Sequence, residues 1–122
     1  MEQVLEVINE QMQILGIQYF DMINTSAKVT YPYVTGELTQ SGYSYEDGSN
    51  TADLLLEAWT RNERLELIQL CEKIKNHFKD FTTEKNGVVM HISYMGAIPQ
   101  RTNDYGLKKL QINLDIHYWE GE

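Results

Sequence analysis

Histidine and carboxylate side chains near the end of the chain could in principle hold a metal ion. His91 and His117 occupy polar positions in two segments that alternate apolar and polar residues, and Asp115 lies two residues before His117. If these segments pair as strands, the two imidazoles lie on one face of the sheet. Zinc needs three or four convergent ligands, and no spacing in the chain supplies them. We therefore expect a hydrated sheet face and no metal site.

Cys71 is the single cysteine, so the chain has no internal disulfide framework and a reducing compartment is the simplest assumption. It lies on the apolar stripe of a predicted helix, six residues before His77. That spacing puts the two side chains on different sides of a helix, which disfavours a nucleophile–base pair. We expect Cys71 to be a small buried core residue.

Two acidic pairs are the remaining candidates for general acid–base chemistry. Glu46 and Asp47 fall in a predicted loop, and Glu120 and Glu122 fall at the end of the chain. Carboxylates in such places are hydrated, and no environment that shifts their pKa is visible. The sequence therefore predicts no catalytic residues and no cofactor, and we rank a hydrolase or metal enzyme last among the possible functions.

Aromatic residues at predicted loop and edge positions are better candidates for function. Tyrosine and tryptophan are favoured at protein interfaces, and ordinary packing at the sheet margin is the alternative explanation. The net acidity makes stacking on single-stranded nucleic acid less attractive than contact with a protein. These aromatic residues are Tyr31, Tyr33, Tyr43, Tyr45, Trp59, Tyr105 and Trp119.

Length and composition predict one globular domain over residues 1–122. The apolar fraction is 42% and the charged fraction 23%, which are ordinary values for a globular protein. The net charge of −8, from 18 acidic and 10 basic side chains, argues against a protein that grips duplex DNA. There is neither a signal-peptide pattern nor an apolar run long enough to span a bilayer, so we expect a cytoplasmic protein without membrane contact.

Periodicity predicts the order helix, two strands, helix, two strands. The expected fold is α+β, a two-layer domain in which two helices cover one face of a four-stranded, mainly antiparallel sheet. The segment 41–50 is expected to be a loop or the tip of a long hairpin. The predicted elements are a helix over residues 2 to about 15, strands over 28–40 and 54–61, a helix from an Asn62 N-cap to about Lys79, and strands that begin at Gly87 and Leu110.

The middle of the chain resembles the small head–tail joining and tail-terminator (tail-completion) proteins of tailed bacteriophages. The resemblance covers roughly residues 29–80. It is carried by Tyr31-Pro32-Tyr33-Val34-Thr35-Gly36-Glu37, then by the strand end Trp59-Thr60-Arg61-Asn62, and then by a helix with Ile74 to Phe78 near its close.

This resemblance implies a structural protein that forms a homo-oligomeric ring, commonly hexameric. The ring would cap the tail tube and dock on the connector, first in the host cytoplasm and finally in the virion. DNA would pass through it without specific binding. We expect loops 40–52 and 96–106 to reach neighbouring subunits or the tube, and edge strands such as the one entered at Pro32 to pair across subunits. The expected interface residues are Tyr31, Tyr33, Tyr43, Tyr45, Trp59, Arg61 and Tyr105.

A second function of a different class stays open. A small acidic regulator or inhibitor could use the same aromatic residues to bind one host protein. Size in solution separates the two, because a ring or tube cap favours the assembly protein and a persistent monomer favours the regulator.

Overall fold

A computed structural model describes residues 1–44 and 48–120, with the side chains of residues 41–44 outside that description. The described residues form two helices and six strands. In chain order these are α1 (Glu2–Ile14), β1 (Tyr19–Asp21), β2 (Tyr33–Ser44), β3 (Ser49–Thr60), α2 (Arg64–His77), β4 (Phe81–Lys85), β5 (Val88–Gln100) and β6 (Lys108–Trp119).

One curled sheet carries the fold, with strand order β1-β2-β3-β6-β5-β4. Strand β1 runs parallel to β2, and the other neighbours are antiparallel. The architecture is α+β, but the prediction of a four-stranded, mainly antiparallel sheet is wrong. The two missed strands are short outer strands. Strand β1 has three residues, which are too few to show alternation, and β4 has a single apolar residue. Both segments become strands because they pair with a longer neighbouring strand.

Both helices contribute to a single core on one face of the sheet. Val4, Ile8 and Met12 of α1 and Ile74 of α2 are buried there, as the three- and four-residue spacing requires. On the sheet side the core takes alternate residues of β3 and β6, so the intervening side chains face away from the helices. We call that second face the open face. Among the described elements, neither helix lies against it.

The neighbourhood of α2 differs from the sequence prediction. The N-cap is Glu63 rather than Asn62, and no side chain caps the helix. Asn62 is held in the preceding turn, because its amide donates to Thr60 Oγ1 at 3.1 Å and its carbonyl accepts from Lys108 Nζ at 2.7 Å.

Neither helix in the described part of the chain has the length and apolar character that a membrane span requires.

Both predicted loops are shorter than expected. Strand β2 runs to Ser44 and β3 starts at Ser49, so the long-hairpin alternative for segment 41–50 is confirmed. Strand β5 runs to Gln100, so the predicted loop at 96–106 starts only after that residue. Strand β1 lies beside Val34, Thr35 and Gly36, so β2 is not the sheet edge at its start. Within the described residues, Glu37 to Gln40 have β3 as their only strand partner.

Tyr19 fixes β1 to β2 by lying directly over Gly36. A methyl group built on Gly36 would fall 2.0 Å from Tyr19 Oη and 2.7 Å from Cζ, so the ring fills the space that a side chain would need. The Tyr19 hydroxyl is buried and has no hydrogen-bond partner among the described residues. Burial, reinforced by Asp21, raises the pKa of this phenol.

Removal of the unpaired hydroxyl should stabilise the protein. We expect Tyr19→Phe to raise the free energy of unfolding by about 1 kcal/mol, because a buried hydroxyl without a partner costs its desolvation. The matched control is Tyr118→Phe, since the buried Tyr118 hydroxyl accepts from Gln40 Nε2 at 2.8 Å. That control should lose about 1 kcal/mol. Urea unfolding measures both variants, and equal destabilisation by the two would contradict this account.

Candidate interaction surface

An aromatic row crosses one end of the open face, where β2 begins and β3 ends. Tyr33 stacks on Trp59 with ring centroids 6.2 Å apart and an angle of 19° between the planes. Tyr31 lies 5.7 Å from Tyr33, and Phe20 of β1 meets Tyr33 edge-to-face at 6.1 Å. Strand register produces this row, because Tyr33 pairs with Trp59 and Phe20 lies beside the neighbouring Thr35. We call Phe20, Tyr31, Tyr33 and Trp59 the aromatic row.

Lys109 extends the row onto β6 and is paired there with Glu57 of β3. Lys109 pairs with Trp59 in the β3–β6 register, and its ammonium lies 4.7 Å from the centroid of the tryptophan ring. The same ammonium is 2.6 Å from Glu57 Oε2. Cation–π contact and ion pairing together hold the lysine over the indole. Trp59 Nε1 also donates to Thr35 Oγ1 at 3.4 Å, which fixes the indole from the β2 side.

Arg61 connects the aromatic row to the loop that joins β5 and β6. Its Nε donates to the Tyr31 hydroxyl at 3.3 Å, and its Nη1 donates to Asp104 Oδ1 at 3.0 Å. Nη2 forms a second hydrogen bond with Asp104 Oδ2, so the contact is bidentate. The hydrogen bond from Arg61, together with the amide of Gly106, lowers the pKa of Asp104. This pair fixes the loop position more than it stabilises the fold, because both side chains are solvent-exposed.

The loop at 101–107 is ordered by its own hydrogen bonds and presents Tyr105. Thr102 Oγ1 lies 2.7 Å from the carbonyl oxygens of Asp104 and Leu107, and Gly106 N donates to Asp104 Oδ1 at 3.2 Å. Tyr105 is fully exposed at the tip. An ordered loop with an exposed aromatic side chain is suited to contact with another protein.

The structure brings together four of the seven predicted interface residues, namely Tyr31, Tyr33, Trp59 and Arg61. Tyr105 is linked to them through Asp104, the neighbouring residue in the chain, which Arg61 contacts. The side chain of Tyr43 and all of Tyr45 lie outside the described residues. Sequence reasoning missed Phe20, Lys109 and Asp104. The alternating pattern indicates which face Lys109 occupies, but only the β3–β6 register reveals that it lies over Trp59.

The candidate metal ligands His91 and His117 lie on the neighbouring strands β5 and β6. His91 and His117 are directly opposite each other on β5 and β6, which confirms the predicted pairing. His91 Nδ1 is 3.0 Å from Thr82 Oγ1, and His117 stacks on Trp119 with centroids 4.7 Å apart. Within the described residues, no group of three or more potential ligands could hold a metal ion.

Cys71 is buried, as predicted, with its sulfur 3.6 Å from the Tyr94 hydroxyl.

The Arg61–Asp104 pair predicts an acid-sensitive loop. The folded-state pKa of Asp104 is lowered, so its contribution to stability is complete above the ordinary aspartate pKa of about 3.9. It is lost as the pH falls through the lower folded-state value. Carbon-13 NMR titration of the Asp104 carboxyl should give a midpoint below about 3.9, and Arg61→Gln should raise it. A midpoint that Arg61→Gln leaves unchanged would contradict the assigned cause.

Comparison with known proteins gives no family for this chain. Neither a protein-family model nor a curated protein matches it. The residues of the aromatic row and the loop at 101–107 therefore provide the basis for the functional proposal.

Proposed function

We propose that this chain is a structural assembly protein of a tailed bacteriophage, which docks as a head–tail joining or tail-terminator ring through the end of its sheet. In that role it neither makes nor breaks a covalent bond. The observation that carries the proposal is the convergence of the aromatic row and Arg61 at one end of the open face, where Arg61 holds the loop that presents Tyr105. Tyrosine, tryptophan and arginine are the residue types that dominate binding energy at protein interfaces.

The arrangement of this surface supports docking over ordinary packing. The open face is not covered by either helix, yet Tyr33, Trp59 and Lys109 are held in fixed positions by their neighbours. Side chains that are already ordered lose little conformational entropy on binding. Among the described residues, no strand pairs with the outer side of β2 from Glu37 to Gln40, where β1 has ended, and this also supports strand pairing between subunits.

Charge on the middle of the open face fits a ring through which DNA passes without being held. Asp53 and Asp115 pair directly across β3 and β6, and Glu37 lies on the same face of β2. Carboxylates in these positions repel phosphate groups. We propose that this face lines the channel.

The test is the mass of the purified chain in solution, measured by light scattering, alone and with the tail-tube protein encoded in the same genome. We expect either a ring or a complex that contains several copies of the chain on the tube protein. A persistent monomer without affinity for the tube protein would contradict the proposal. A monomer that binds one host protein through the aromatic row would favour the regulator instead.

A further inference from the structure

An apolar groove with a basic rim lies on the helix side of the same sheet end. Its volume is about 370 Å³, and it is formed by the start of α2, the end of β5 and the loop at 101–107. Leu67, Ile68, Pro99 and Leu107 line it, and Ile68 is 46% exposed. This volume is near the lower end of the range for ligand sites, so it accommodates one or two side chains.

Positive charge surrounds the groove although the protein as a whole is acidic. Its lining includes four of the chain's 10 basic side chains, namely Arg64, Arg101, Lys108 and Lys109, of which Lys109 is paired with Glu57. Asp104 is the carboxylate in the lining, and Arg61 neutralises it. The local charge is therefore opposite in sign to the net charge of −8.

The two arginines of the rim are available to a partner. Within residues 1–44 and 48–120, neither the Arg64 nor the Arg101 guanidinium has a carboxylate within 4.0 Å. Both side chains are exposed. Guanidinium groups bind carboxylates with two parallel hydrogen bonds, so an unpaired arginine beside an apolar groove favours an acidic ligand with an apolar side chain.

We propose that this groove binds an acidic segment of a partner protein. An apolar side chain of the segment enters between Ile68 and Leu107, and flanking carboxylates pair with Arg64 and Arg101. The groove shares the loop at 101–107 and Lys109 with the surface described above. The inference goes beyond the proposed assembly function, because it depends on Arg64 and Arg101, which lie outside the aromatic row.

The test uses a fluorescein-labelled peptide of alternating glutamate and leucine, with fluorescence anisotropy as the measurement. We expect Arg64→Glu/Arg101→Glu to weaken binding by at least about tenfold, since both charge-assisted pairs become repulsive. The matched control is Lys73→Glu/Lys79→Glu, which makes the same charge change at exposed positions nearer the end of α2 and should bind as the wild type does. A peptide with glutamine in place of glutamate should bind at least about tenfold more weakly.

Several results would overturn the inference. These are no binding of the acidic peptide up to about 1 mM, equal binding of the glutamine peptide, or an equal loss in the Lys73/Lys79 control. Self-association that the Arg64/Arg101 variant abolishes, without peptide binding, would assign the groove to a second copy of this chain. Tyr33→Ser alters the aromatic row at a residue that does not line the groove and should keep peptide affinity, so failure here is distinguishable from failure of the assembly function.

Discussion

Trp59→Ser is expected to weaken docking on the tail-tube protein by roughly 30-fold or more, because truncating a central aromatic anchor costs about 2 kcal/mol or more of binding free energy. The indole is the centre of the surface, with Tyr33 stacked on it and Lys109 above it. Loss of the indole removes the anchor and also the cation–π contact that helps to position Lys109. Biolayer interferometry with immobilised tube protein measures the change.

The chain supplies a matched control for this experiment. Trp119 lies on the same open face at the opposite end of β6, about 33 Å from Lys109 along the strand. It also stacks on a neighbour, His117, with ring planes at 1°. Trp119→Ser therefore removes a tryptophan of similar setting, and we expect it to dock like the wild type. Equal weakening by both variants would indicate a general loss of structure and would count against the aromatic row.

Gly36→Ala is expected to destabilise the protein by about 1–3 kcal/mol, the usual cost of forcing extra atoms into a packed site. The added methyl group would overlap the Tyr19 ring, with three ring or hydroxyl atoms within 2.8 Å. Displacement of Tyr19 would also loosen β1, which carries Phe20 of the aromatic row. The variant should therefore lose docking affinity as well as stability, as urea unfolding and the same binding assay would show.

A double-mutant cycle tests the cause of that loss. In a Tyr19→Ala background the ring is absent, so Gly36→Ala should cost close to nothing. Gly106→Ala is the control, because a methyl group there would lie at an ordinary 3.4 Å from Arg61 Nη1. If Gly36→Ala lowers the free energy of unfolding equally with and without the Tyr19 ring, the contact with Tyr19 is not the reason that position 36 requires glycine.

Sequence reasoning found the parts of the fold that have a strong hydrophobic period. The stripe of α1 predicts the burial of Val4, Ile8 and Met12, although it omits the buried Val7, and the alternation of β6 from Leu110 to Tyr118 predicts which of its side chains are buried. The outer strands β1 and β4 were missed because hydrogen bonding to β2 and β5, and not their own pattern, makes them strands. Asn62 was assigned as a cap because its side chain suits that role, while the contacts of its backbone with Thr60 and Lys108 decide its position.

The candidate surface was predictable in composition and not in geometry. The aromatic residue types at Tyr31, Tyr33 and Trp59 predict an interface even when only the sequence is known. Their common row depends on the register between β2 and β3, and the link to Asp104 depends on a contact across 43 residues of sequence. Neither the strand register nor the Arg61–Asp104 contact can be predicted from the local pattern of residues in one sequence.

The most direct test of the assembly function is electron microscopy of tail tubes mixed with the purified chain. We expect wild type and Trp119→Ser to form a cap at the tube end, and Trp59→Ser to leave the tube uncapped. Caps formed equally by Trp59→Ser, or bare tubes with the wild-type chain, would contradict the claim that this protein acts by docking through the aromatic row.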